Sequence, residues 1–356
     1  MAVLHWLTSS KSNQTTIPIM PKILPTLKVS KKGLTKSSKS IEILVIPKSS
    51  DNSNQKNVGI TLDQKLIKTI LASAYKTVSI TEIKTKNDLV KLVNRKPDLV
   101  FSGVKYFTFG NEEIWLNDFL DTNHISYIGS SKNALNSEHD KSIAKSIIKK
   151  AGIVTAEYFT SVPGEHPSKA SVPLRFPLFI KPIKGGDSIG IDALSIANDF
   201  IEMTAKVAEI FAIQKSRSLI ETYLPGKEYS VGIFEDETSK ELTAMPIEIA
   251  VDKNQNGHGI LDFNVKKNDE ELVRKVVDKK VYCQLSEVAK AAFKALGGKS
   301  FGRIDIKMSI DNIPHFIEAN LMPGLSKGYF YRCCSINLGL NYEQMILKIA
   351  KNRMVS

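Results

Sequence analysis

The sequence predicts an α/β amino-terminal domain followed by two α+β lobes, and three observations carry that prediction. Apolar strands alternate with helical spacing from Ile41 to Ile128. The rhythm then breaks at a Pro-rich stretch, Pro163–Pro177. Beyond it the chain is rich in strands around a single strongly amphipathic helix. The boundaries these shifts suggest are a tail at 1–40, an α/β domain at 41–135, a central lobe at 136–216 and a carboxy-terminal lobe at 217–356.

In order, Ile41–Ile46 is a compact apolar strand. Leu62, Leu66, Ile67, Ile70 and Leu71 fall on one face of a helix at Leu62–Tyr75. Val78–Ile83 reads as a strand, Asn87–Val93 as a helix and Asp98–Phe101 as a buried strand. A helix over Glu113–Leu120 leads to a strand at Ile125–Ile128, which makes a parallel sheet covered on both faces the natural arrangement. Asp140–Ala151 is a helix stopped by Gly152. In the central lobe, strand Leu178–Lys181, a turn at Gly185–Gly190 and strand Ala193–Ile196 precede a helix from Asp199 to Gln214. Strands follow at Ser218–Tyr223, Glu228–Phe234, Leu242–Ile249, Gly302–Ser309 and Pro314–Ala319. Between them Leu285, Val288, Ala289, Ala292, Phe293 and Leu296 share one helix face, ended by Gly297–Gly298. Asp311-Asn312 supplies the hairpin turn between the last two strands.

Composition bounds the function. The chain has 356 residues, 42% hydrophobic and 24% charged, with no apolar run long enough to span a bilayer, so no membrane role is expected. Its three cysteines do not make a disulfide framework, which fits a reducing cytoplasm. The net charge of +12 suggests nucleic acid until it is divided. Residues 1–40 hold seven lysines and no Asp, Glu or Arg, so most of the excess lies on the tail. Only seven of 49 basic residues are Arg, the side chain that reads phosphates and bases best, and no nucleic-acid partner is expected. The tail reads as a solvated segment, with a targeting segment as the other reading.

Three constellations carry chemistry. In Lys181-Pro-Ile-Lys184-Gly185-Gly186-Asp187-Ser188-Ile189-Gly190, backbone N–H groups without Cβ obstruction sit beside lysines, which suits phosphate oxygens. The same residues also read as an ordinary β-turn. In Glu221-Thr-Tyr223-Leu224-Pro-Gly-Lys-Glu228, two carboxylates bracket a loop and suit an adenine amine and ribose hydroxyls. They equally read as solvent-facing charges at strand ends. Arg303-Ile-Asp305 and Phe316-Ile-Glu318-Ala-Asn320 lie on two strands joined by a tight turn, with Glu318 and Asn320 on one face. Asp305, Glu318 and Asn320 are hard oxygen ligands suited to Mg²⁺, and a salt bridge from Arg303 to one of the acids is the alternative.

Taken together and in this order, the three motifs resemble the ATP-grasp superfamily and, within it, the D-alanine–D-alanine ligase family, from about Asp98 to the carboxy terminus. The resemblance implies an ATP-grasp fold: an amino-terminal parallel-sheet (pre-ATP-grasp) domain and two α+β lobes that clamp ATP. It implies an ADP-forming ligase that joins a carboxylate to an amine through an acyl phosphate. By the same resemblance Lys141 and Lys181 hold ATP phosphates, Gly185, Gly186 and Ser188 close over them, and Glu221, Tyr223, Leu224 and Glu228 bind adenosine. Arg303 faces the transferred phosphoryl group, and Asp305, Glu318 and Asn320 hold two Mg²⁺ ions, with Mn²⁺ as a substitute. Lys266 sits where the family has a mobile-loop lysine, within a segment from Asp252 to Asp269 expected to fold over the site. Asn320-Leu-Met-Pro323-Gly324 looks like the family's turn beside the acceptor, with the Gly324 backbone as an oxyanion donor. A homodimer, small amino-acid-like partners and a cytoplasmic setting are further implications.

The departures fall on the substrate side. The family's amino-terminal glycine-rich loop is replaced by Pro47-Lys-Ser-Ser-Asp-Asn-Ser-Asn-Gln. Its His-Gly-x-x-Gly-Glu-Asp-Gly stretch corresponds to Tyr106-Phe-Thr-Phe-Gly110-Asn-Glu-Glu113. Past Gly324, Ser326 or Lys327 would have to serve the acceptor carboxylate, with Lys327 and Arg332 as further anchors. The sequence therefore predicts a ligase with a partner other than D-alanine. The ordinary cell-wall enzyme and a non-catalytic ATP-binding module are the alternatives. Tyr106, Phe107, Phe109, Trp115, Tyr329, Phe330 and Tyr331 read either as an enlarged aromatic pocket or as core.

Overall fold

The computed structural model describes residues 35–47, 59–60, 62–186, 188–236, 238–250, 261 and 271–354. Strand β1 (Ser37–Val45) is followed by α1 (Gln64–Ala74), β2 (Tyr75–Glu82), α2 (Lys86–Arg95) and β3 (Leu99–Ser102). The three strands pair in parallel in the order β2-β1-β3. Asp63 starts α1 by accepting the Leu66 N–H at 3.0 Å. Ile67, Ile70 and Leu71 pack on one face of the sheet, while Leu89, Leu92 and Val100 lie in the cluster on the other. The first strand begins at Ser37, four residues before the apolar run that marks it in the sequence, and Ser40 is tied to Asp98 by three hydrogen bonds.

Here the chain departs from expectation. Tyr106–Phe109 and Glu112–Trp115 form an antiparallel hairpin, β4 and β5, turned at Gly110 with φ +63°. The helix expected from Glu113 therefore starts only at Leu116, as α3 (Leu116–Thr122). Ile125–Ile128 is not a full strand: it touches the sheet by one bridge, Tyr127 to Val100.

Helices α4 (Lys132–His139) and α5 (Lys141–Lys150) follow, with Asp140 between them accepting the Ser142 and Ile143 N–H groups as the α5 cap. The central lobe holds β6 (Tyr158–Ser161), β7 (Leu178–Pro182), β8 (Ile196–Ala197), α6 (Phe200–Gln214) and β9 (Ser218–Thr222). Its antiparallel sheet has the order β6-β9-β7-β8, and Met203, Val207 and Ile210 of α6 fill its core. Ala193–Ser195 is a tight turn rather than strand, leaving β8 two residues long.

The third sheet is antiparallel, β12-β11-β10-β13-β14, built from β10 (Glu228–Glu235), β11 (Leu242–Ala250), β12 (Leu272–Lys275), β13 (Phe301–Met308) and β14 (Pro314–Asn320). Helix α7 (Lys279–Ala295) lays Leu285, Ala289, Ala292 and Phe293 on one face of it. Close packing there needs glycine: a Cβ at Gly302 would meet Phe293 Cε2 at 2.6 Å. The chain ends with α8 (Tyr329–Leu338) and α9 (Tyr342–Lys351), whose buried Phe330, Met345 and Ile346 join the same core as β1 and α1. None of the described helices is long and apolar enough to cross a membrane. Residues 1–34, 48–58 and Lys266 lie outside the described residues, as does the 252–269 segment apart from Leu261.

Candidate active site

A cleft runs between the central sheet and the five-stranded sheet, lined at one end by Lys145, Lys181 and Glu221 and at the other by Asp305, Lys307 and Glu318. Strand alternation explains the second end. Ile304 and Ile306 point into the core beneath α7, so Arg303, Asp305 and Lys307 take the opposite face of β13. Register then places Asp305 opposite Glu318 and Arg303 opposite Asn320.

At this end Arg303 donates two hydrogen bonds to Asp305, at 2.9 and 2.8 Å, so the salt bridge left open by the sequence is formed. Burial works against the guanidinium, but Asp305 more than offsets it and holds the Arg303 pKa above its ordinary value. Ser230 on β10 donates its hydroxyl to Asp305 Oδ1, and Asn320 Nδ2 reaches Oδ2 at 3.5 Å. Asp305, Glu318 and Asn320 thus come from two adjacent strands, with both Asp305 oxygens taking hydrogen bonds from Arg303 and the Asn320 amide nitrogen turned toward Asp305. Among the described residues no group of three or more His, Cys, Asp or Glu side chains forms a metal cluster.

At the other end the structure adds a residue that the sequence reading missed. Glu221, on β9, is 5% exposed, which removes the solvent-facing reading for it. Its two oxygens meet two ammoniums: Lys181 of β7 at 2.8 Å and Lys145 of α5 at 2.5 Å. Burial opposes the charge of all three groups. Glu221 offsets this at Lys181, whose pKa is raised, and the two lysines hold the Glu221 carboxyl below its usual range. At Lys145 burial wins and the pKa falls. Lys141, one helical turn before Lys145, is also buried and donates to the Gly185 carbonyl at 2.6 Å. The expected phosphate loop therefore lies directly against the expected phosphate lysine.

That loop has the backbone its glycines permit, with φ +99° at Gly185 and +81° at Gly190. A Cβ at Gly186 would meet nothing within 4 Å. Ser188, expected to donate to a phosphate, donates instead to the Leu261 carbonyl at 3.0 Å. Glu228 is paired with Lys307 at 3.0 Å, and Tyr223 and Leu224 also line the cleft. Tyr223 gives its N–H to the Pro177 carbonyl at 3.3 Å.

The turn after Asn320 buries Leu321, Met322 and Pro323 and exposes Gly324. Glu138 of α4 fixes it by accepting the Leu321 N–H while pairing with Lys105 at 2.6 Å. Ser326 and Lys327 are exposed, and Arg332 reaches Glu271 at 3.5 Å. The seven aromatics do not gather into one pocket. Phe107 and Phe330 are core, Phe109 and Tyr331 pack against it, and Tyr106 meets Trp115 on the hairpin at 5.3 Å. Tyr329 alone approaches the site, its ring 5.4 Å from the Arg303 guanidinium and 6.0 Å from that of Arg332.

Comparison with known proteins identifies the family and the fold. Residues 147–351 match the family model described as D-ala D-ala ligase C-terminus. A D-alanine–D-alanine ligase of Bacillus anthracis is 25% identical over 297 residues, covering 83% of this chain and 91% of its own length. A D-alanine–D-alanine ligase of Streptococcus thermophilus is 29% identical over 241 residues, 66% of each chain. Among solved structures, the Bacillus anthracis D-alanine–D-alanine ligase complexed with ATP superposes with a TM-score of 0.64 at 19% identity, over 90% of this chain and 98% of that one. The VanG D-Ala:D-Ser ligase of Enterococcus faecalis gives 0.64 at 19%, over 89% and 100%.

Proposed function

The chain belongs to the D-ala D-ala ligase C-terminus family and is an ATP-dependent, ADP-forming ligase of C–N bonds; we propose that it joins a carboxylate to an amine other than a pair of D-alanines. In this reading Lys141 and Lys181 hold the ATP phosphates under the Gly185–Gly190 loop, and Glu221, Glu228, Tyr223 and Leu224 line the adenosine end. Asp305, Glu318 and Asn320 hold Mg²⁺, which when bound supplies positive charge to the transferring phosphoryl group.

A carboxylate is a poor electrophile. The γ-phosphoryl group passes to one of its oxygens, ADP leaves, and an acyl phosphate results. The amine nitrogen then attacks the acyl carbon. The C–N bond forms, the C–O bond to phosphate breaks, and the amine gives up a proton. Arg303, buried and held in its charged form by Asp305, stabilises the phosphoryl oxygens and the tetrahedral oxyanion, with the Gly324 backbone as a second donor. Ser188 contributes by tying the loop to the Leu261 carbonyl.

The substrate half of the proposal rests on the β4–β5 hairpin. The stretch that corresponds to the family's His-Gly-x-x-Gly-Glu-Asp-Gly motif is here a hairpin, with Phe107 in the core and Tyr106 against Trp115. Gly110, at the turn, is the one glycine of this hairpin. The curated relatives are named D-alanine–D-alanine ligases, which keeps D-alanine as the second reading. Product analysis by mass spectrometry with paired amino acids decides between them: a D-alanine dipeptide as the sole product would refute the proposal.

A further inference from the structure

The group that the mechanism above does not use is Lys145. It is fully buried, yet it lines the cleft, and its ammonium is held on two sides. One side is Glu221 Oε1 at 2.5 Å. The other is Thr155 Oγ1 at 2.5 Å, and Thr155 in turn donates to the Phe316 carbonyl of β14 at 2.8 Å. Lys145 is therefore fixed to the strand that carries Glu318, and the ring of Tyr158 lies 5.6 Å from its nitrogen.

Burying a third charge beside an ion pair is costly unless it serves something. A one-to-one pair of Lys181 with Glu221 would be neutral, and a neutral pair gives little to an anion. With Lys145 present, one carboxylate is shared by two ammoniums, and this corner of the cleft keeps one positive charge in a site nearly closed to solvent. Lys141 adds another from the same helix. Glu318 faces the same lysines, and its charge is the one a metal bound at Asp305, Glu318 and Asn320 would take.

We infer that Lys145 is a positioning residue that sets the charge at the phosphate end of the cleft: by occupying half of the Glu221 carboxylate it leaves the Lys181 ammonium able to bind the polyphosphate of the nucleotide. The inference rests on the ligase reading and deepens it. The polyphosphate is recognised by an excess charge built from Lys145, Lys181 and Glu221, and because Glu221 also borders the adenosine end, the ratio of ATP to adenosine affinity isolates that charge.

Calorimetric titration of the full chain with ATP and, separately, with adenosine tests this, using Lys145→Met, Lys145→Arg and Glu221→Gln. Lys145→Met is expected to weaken ATP about tenfold or more while adenosine stays within about twofold. Lys145→Arg restores ATP affinity, because the charge is what matters. Glu221→Gln moves the charge the other way without touching Lys145, and the ratio of ATP to adenosine affinity rises. Equal losses for ATP and adenosine in Lys145→Met would reduce Lys145 to a structural support and overturn the inference. So would an unchanged affinity ratio in Glu221→Gln, a result that stands even if Lys145→Met fails to fold. ATP bound equally by wild type and Lys145→Met overturns the inference alone. A wild-type chain that takes up no ATP overturns the ligase reading and the inference with it.

Discussion

Replacing Lys181 with methionine separates what the buried ion cluster does for stability from what it does for binding. Removing one member of a buried ion pair costs about 3–5 kcal/mol when it strands the other charge. Here Glu221 is not stranded, because Lys145 still meets its Oε1 at 2.5 Å. The expected loss of stability is therefore smaller, about 1–2 kcal/mol, and the variant folds. Its ATP affinity is another matter. A charge-assisted hydrogen bond to phosphate is worth about 1.5–3 kcal/mol, so binding should weaken by about 10- to 150-fold. Urea unfolding gives the first quantity and calorimetric ATP titration the second. The double variant Lys145→Met/Lys181→Met strands Glu221 and should lose the full amount, more than the two single losses added together. Two results would refute this reasoning: unchanged ATP affinity in Lys181→Met, or single variants already as unstable as the double.

Glu318→Gln should keep the fold, since the side chain lies on the cleft face of β14, while phosphoryl transfer slows by about two orders of magnitude or more; near-normal turnover in a stopped-flow phosphate assay would remove Glu318 from the metal set. Phe293→Ala should cost about 3–5 kcal/mol in urea unfolding, because the ring is 1% exposed and packs against Gly298 and Gly302; a loss under about 1 kcal/mol would mean the core refills. Asp98 accepts the Ser40 N–H at 2.7 Å, which lowers its folded-state pKa below the ordinary 3.8. A carboxyl so lowered stabilises the fold above 3.8, and that contribution is lost as pH falls from there through the depressed value. Wild type and Asp98→Asn should therefore converge in melting temperature below that window and diverge above it, and parallel profiles from acid to neutral pH would contradict the assignment.

How much of this was legible in the sequence depends on how local each signal is. Periodicity found α1, α6 and α7 because their apolar residues repeat every three or four positions and Asp63, Asp199 and Asp278 cap them. The β4–β5 hairpin was missed because Glu112–Trp115 has the charged start of a helix, and only pairing with Tyr106–Phe109 makes it a strand. Strand β6 likewise exists through its pairing with β9, about sixty residues away. Motif order identified Lys181, Glu221, Asp305 and Glu318, and the structure brings all four to one cleft. It could not decide whether Arg303 pairs with Asp305, which depends on side-chain geometry across one face of β13. Nor could it single out Lys145. A lysine four residues after Lys141 on a helix reads as solvated, and its burial follows only from where β7, β9 and Thr155 come to lie.

The central claim is ATP-driven joining of a carboxylate and an amine with a substrate pair other than D-alanine. ATP- and Mg²⁺-dependent phosphate release, measured with single and paired pools of D- and L-amino acids and followed by mass spectrometry of the products, tests it most directly. The account predicts little release with D-alanine alone and ADP formation with another pair, together with a product of the summed mass less one water. Rapid turnover of D-alanine to its dipeptide, with no other pair preferred, would contradict it.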